Sequence, residues 1–158
     1  MNPADILMYG QRTIDELIDR MEPGDWEAVA LGTWTTKDLV GHLAAFEVRF
    51  VEILTAFLGE EPATNFLQQP LETFNDDQAA VRREWSVEAI VGELRDAHAQ
   101  AMALVPRIPA ERWREVGTIP WYGPEYALDD LVVYLMYGHK REHGPQFEAV
   151  LDRTVARP

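Results

Sequence analysis

The feature that most constrains this chain is a run of apolar residues at helical spacing. Leu39, Leu43, Phe46, Phe50, Ile53 and Phe57 alternate by four and three residues, which lays them along one stripe of an α-helix and gives the seam of a bundle. The ends of the run carry helix-terminating chemistry. Thr35 and Asp38 have the Thr-x-x-Asp spacing of a capping box, with Asp standing in for the longer Glu. Gly59 and Pro62 close the segment.

Other segments repeat the pattern. A first helix is predicted from about Pro3 to Met21, capped by Asn2, with Ile14, Leu17, Ile18 and Met21 at helical spacing and Pro23-Gly24 ending it. Trp26 and Trp34, in the connection that follows, read as plugs over one end of the bundle. A third helical region starts near Leu71 and runs toward Val105, kinked or broken at Ser86, which can cap its longer half. Pro106 and Pro109 end it, and Ile119-Pro120-Trp121-Tyr122-Gly123-Pro124 is too rich in Pro and Gly to be helical. The last helix is predicted over about Leu128 to Arg153, with Asp129 and Asp130 in its first turn and a kink at Pro145. No segment alternates with period two for long enough to predict a strand. The expectation is an all-α single domain over residues 1–158, a four-helix bundle with a kinked third helical region and a Pro-kinked last helix.

Composition narrows the function classes. Hydrophobic residues make up 47% of 158, enough for one well-buried core and against disorder. A net charge of −13, with dispersed Lys and Arg, repels phosphate backbones and argues against nucleic acid as a partner. The absence of cysteine excludes disulfides, thiolate metal sites and a cysteine nucleophile. No apolar run approaches the ~20 residues of a membrane span, and the N-terminus has no signal-peptide pattern, so a cytoplasmic protein is expected. Neither a Gly-rich phosphate cradle nor a Gly-x-Ser-x-Gly elbow occurs.

The four histidines then carry the argument. At about 100° per residue, His139 and His143 point about 40° apart on the last helix, in the arc that also holds Leu128, Val132, Leu135, Met136, Gln146 and Val150. His42 falls within the inward arc of the second helix, with Arg49 on its outer flank. Buried imidazoles without partners are costly, and two readings relieve that cost. One is a shared metal ion, for which a pair at i, i+4 is a chelating spacing; the other is a polar network bonded to Asn75, Asp76 or Glu142. His98 has no partner histidine at ligand spacing and reads as a helix-surface or core-edge residue. Val133, Tyr134 and Tyr137 are expected on the side of the last helix away from the histidines, where a second apolar face suggests a further packing contact or a homodimer interface.

Trp34-Thr-Thr-Lys-Asp-Leu-Val-Gly-His42-Leu-Ala-Ala-Phe-Glu resembles the second-helix signature of the DinB-like superfamily, and Tyr137-Gly-His139-Lys-Arg-Glu-His143-Gly-Pro-Gln146 resembles its last-helix signature. Phe74-Asn75-Asp76 is similar to a motif of the branch that includes ClbS/DfsB-like proteins. The resemblance implies a four-helix bundle, often dimeric, with His42, His139 and His143 facing a divalent metal, commonly nickel or zinc. It brings in thiol-dependent transferases and isomerases as relatives, and also bundles that work without a metal. Beside those ligands, Asn75, Asp76 and Glu142 are candidates for orienting them, and Trp121, Tyr122 and Tyr126 for a pocket wall.

Three functions fit. The first is a metal-dependent transferase or hydrolase that joins a low-molecular-weight thiol, or water, to a small electrophile; with no cysteine in the chain, the thiol must come from a cosubstrate. The second is a metal-free protein that binds a small molecule for protection. The third is an interaction module. The residues alone leave open whether the chain is an enzyme.

Overall fold

The computed structural model describes residues 2–119 and 121–155; Pro120, within the aromatic segment, lies outside them. Helix α1 (Pro3–Ile18) begins where the Asn2 side chain accepts the Ala4 N–H at 3.1 Å. Helix α2 (Thr36–Phe57) begins with the expected reciprocal cap: Thr35 Oγ accepts the Asp38 N–H at 3.2 Å, and the Thr35 N–H donates to Asp38 Oδ2 at 2.9 Å. The third helical region is two helices, α3 (Leu71–Arg82) and α4 (Val87–Leu104), separated at Ser86, whose hydroxyl caps α4 through the Ala89 N–H at 3.2 Å. A short α5 (Leu128–Leu131) leads through a π-helical stretch, Val132–Gly138, into α6 (His139–Val155), which continues through Pro145.

The bundle is made of α1, α2, α4 and the α5–α6 rod. Helix α2 packs chiefly on α4, and α1 on the rod, while α3 lies against α2. Two apolar clusters fill the interior. One gathers Ile14, Leu17, Leu39, Leu43, Leu94 and Phe147; the other gathers Leu7, Phe50, Leu54, Ala101, Leu131 and Met136. Every bundle helix passes from one cluster to the other, and the residues between them are polar: Gln11, Glu47, His98 and Lys140.

Two departures from the sequence reading shape the site. The connection after α1, expected to lack strands, forms a small antiparallel hairpin, β1 (Val29–Leu31) with β2 (Trp34–Thr35). Its turn contains Gly32 at φ 57°, a left-handed conformation that glycine adopts without strain. The second departure is the π stretch. Its i→i+5 bonding inserts an extra residue into the helix and changes which side chains share the histidine face. Gly138 permits it, because a Cβ there would stand 3.1 Å from the Val133 carbonyl oxygen. As a result Tyr134, expected on the opposite side, lines the cavity of the histidines, whereas Val133 and Tyr137 line a groove against Ile6 and Tyr9 of α1. Among the described residues, no helix is long and apolar enough to cross a membrane.

Candidate metal centre

The structure brings His42, His139 and His143 together. His42 and His143 are 6% and 7% exposed, and His139 is half-buried. One ring nitrogen from each lies within 4.8 Å of those of the other two. His42 Nε2 and His139 Nε2 are 2.8 Å apart, although the residues stand on different helices. Two nitrogens each ~2.0–2.1 Å from one ion are roughly 3 Å apart, so this spacing suits two ligands of a single centre. Two lone pairs cannot face one another at this distance; either a proton on one ring or a shared cation must lie between them.

The electrostatics keep His42 and His139 uncharged. Burial, reinforced by the neighbouring imidazoles of His139 and His143, lowers His42 to about 3. Burial, then His143 and Lys140, lowers His139 to about 4, against a smaller opposing pull from Glu47. Both are neutral at pH 7, the form that offers a lone pair to a metal. His143 Nδ1 lies 2.6 Å from Gln146 Oε1. An amide oxygen only accepts, so Nδ1 carries the proton and Nε2 keeps its lone pair.

Above the imidazoles lies a cavity of about 380 Å³. The hairpin contributes Leu31 and Trp34, α2 contributes Phe46, and the rod contributes Tyr134 and Leu135. The Trp34 ring lies 5.0 Å from His42, and that of Phe46 lies 4.7 Å from His139. Asn75 and Glu142 also line this cavity. Both are exposed, as is Asp76, which stands outside the lining.

Trp121, Tyr122 and Tyr126 occupy a neighbouring region. Trp121 lines a second cavity with Ile53, Phe57 and Ile119. Tyr122 packs against the apolar cluster around Phe50, and Tyr126 lies beside Tyr134 of the histidine cavity, with ring centroids 6.4 Å apart. Reasoning from the sequence missed Trp34, read as a plug, and Gln146, given no role. Gln146 had a signal, since it lies three residues after His143 on the same arc. Arg49, expected on the outer flank of α2, is 3% exposed.

A helical bundle that turns three imidazoles from two helices toward one point presents a set of nitrogen donors of the kind that can hold a metal ion. The chain belongs to the DinB superfamily, whose family model matches residues 7–147, nearly the whole length. No curated protein and no solved structure matches it.

Proposed function

We propose that His42, His139 and His143 hold one divalent metal ion, nickel or zinc, and that the cavity above them is an active site. The reaction is the transfer of a low-molecular-weight thiol, or of water, to a small electrophile. The observation that carries this reading is the 2.8 Å approach of two uncharged imidazole nitrogens from separate helices, with a third imidazole oriented by Gln146. The donor set fits a catalytic ion, because three neutral ligands leave its charge undiminished and at least one position open. A divalent ion so bound supplies Lewis acidity, which lowers the pKa of a thiol or of water. Membership of a superfamily that typically binds metals supports the same reading.

The chain's own residues have separate tasks. Gln146 fixes the tautomer of His143. Trp34, Phe46 and Leu135 exclude water and receive the apolar part of the substrate. Glu142 is the carboxylate in the cavity lining and takes up the proton that the nucleophile loses. The thiol comes from a cosubstrate, since the chain has no cysteine.

Elemental analysis of protein purified without a His-tag tests the proposal. About one equivalent of metal per chain is expected in the wild type and very little in His42→Ala. Thiol transfer to a model electrophile should stop on chelation and return with added metal. Untagged protein that holds almost no metal and takes up none on titration overturns this reading, and leaves a metal-free binding protein using the same cavity.

A further inference from the structure

The histidine cavity is sorted by polarity from its floor to its mouth. The floor is imidazole, with His42 and His143 buried. The sides are the apolar faces of Trp34, Phe46 and Leu135. Tyr134, 62% exposed, and Glu142, also exposed, belong to the same lining and mark where it meets solvent. At about 380 Å³ the space is that of a small-molecule site, and each of these residues borders it directly.

Charge is distributed one-sidedly around that space. Among the described residues, Glu142 is the one carboxylate in the lining, and no Lys or Arg accompanies it. The two cations nearest to it in sequence are engaged elsewhere. Lys140 is 3% exposed and donates to Gln11 and Glu47 inside the bundle. Arg141 lies over the ring of Tyr137, 5.9 Å from its centroid, and Tyr137 lines the groove against α1. The Glu142 carboxylate therefore has no ion-pair partner among the described residues. The net charge of −13 adds to its field. An organic anion at this mouth meets a like charge and the negative faces of aromatic rings, whereas an ammonium is attracted by both.

We propose that the histidine cavity takes an organic ammonium ion, with its apolar body against Trp34 and Phe46 and its charge at the mouth beside Glu142 and the ring of Tyr134. The apolar sides require the body, and the mouth selects the charge. In a substrate of this class the ammonium is remote from the reacting atom, which lies at the imidazole floor. A carboxylate that holds an ammonium through one oxygen keeps the other for the proton of the nucleophile. The role of this cation as a substrate rests on the reading of the cavity as an active site. Its binding does not, and metal-free protein tests it separately.

The experiment is calorimetric titration of chelator-treated protein with 2-phenylethylammonium, 2-phenylethanol and 3-phenylpropanoate, three ligands of similar body and different charge. The ammonium is expected to bind about fivefold or more tightly than the alcohol, and the carboxylate more weakly than either. Added salt should narrow the difference. Glu142→Gln is expected to remove most of the preference for the ammonium. Glu148→Gln, which neutralises another exposed acid of α6 outside the lining, is expected to keep it. Equal affinity for ammonium and alcohol, no saturable binding of the ammonium, tighter binding of the carboxylate, or equal effects of Glu142→Gln and Glu148→Gln each overturns the proposal. Both substitutions fall on exposed positions, so folding is not at stake. Metal content, measured on the same protein before chelation, reports separately on the histidine site.

Discussion

His139 and Lys140 are neighbours on α6, yet each belongs to a different polar cluster inside the bundle. Lys140 donates to Gln11 Oε1 at 2.8 Å and to Glu47 Oε1, with His98 Nδ1 3.6 Å from the other Glu47 oxygen. Each of the four bundle helices contributes one of these residues, and the apolar clusters close over them from both sides. Acid, base and amide face one another, although Glu47 Oε2 and His98 Nδ1 make no hydrogen bond among the described residues. The histidine cluster is the opposite case. It contains three bases and no acid, its members crowd one another, and it opens onto a cavity lined by Trp34 and Phe46. Complementary polar groups in a core define its register; like groups gathered beside a cavity define a candidate site.

The comparison breaks most sharply at Lys140. Replacing it with methionine leaves the Glu47 carboxylate, 0% exposed, without its cation, and the expected loss is ~3–5 kcal/mol in urea unfolding. Glu47→Leu combined with Lys140→Met should recover most of that loss, because no uncompensated charge remains. His42→Ala, measured with chelator present, leaves no charge behind and should cost clearly less. A Lys140→Met protein that unfolds at the wild-type midpoint would mean that the layer contributes nothing as an ion pair.

Acid separates the clusters by pH window. Unfolded, His42 and His139 titrate near 6.5; folded, burial and the neighbouring rings hold them at about 3 and about 4. As the pH falls below 6.5, the unfolded chain gains protons that the folded chain refuses. Metal-free protein therefore loses stability, by up to ~1.4 kcal/mol per pH unit for each ring. Glu47 acts in a lower window. Burial works to raise its carboxyl, but Lys140 and His98 outweigh that and hold it below the usual 4.5, so its contribution is present above that value and fades as the pH falls below it. Urea unfolding between pH 6.5 and 5.5 should thus report on the histidines alone, with a shallower slope in His42→Ala.

Much of this was legible in the sequence because it depends on local chemistry. The Thr35–Asp38 cap, the Ser86 break and the inward placement of His42, His139 and His143 follow from spacing along single helices, whereas their meeting at one point was what the family resemblance implied. What escaped depends on geometry that spacing does not encode. The wheel that placed Tyr134 away from the histidines assumes a constant turn, and the π stretch at Val132–Gly138 breaks that assumption. Trp34 became a wall of the cavity because a seven-residue hairpin, Val29 to Thr35, folds back over α2, its strands too short for alternation to reveal. The central polar layer was missed for a different reason: Gln11, Glu47, His98 and Lys140 are each unremarkable in their own helix, and only packing brings them level.

Gln146 gives the finest test, because it joins the histidine cluster without being part of the proposed donor set. Its oxygen holds the Nδ1 proton of His143 at 2.6 Å and so presents Nε2 to the other two rings. Gln146→Leu keeps the size of the side chain and removes the acceptor. The imidazole can then rotate or exchange tautomers, and the metal must restore the lost order each time it binds. Such partners typically contribute 10–100-fold to metal affinity, so competition with a chelating dye should show a weakening of about that size at unchanged stoichiometry. Gln146→Glu retains an acceptor and should bind nearly as well as the wild type. A Leu variant with unaltered affinity would mean that helix packing alone orients His143, and that both polar clusters are set by the same rigid scaffold.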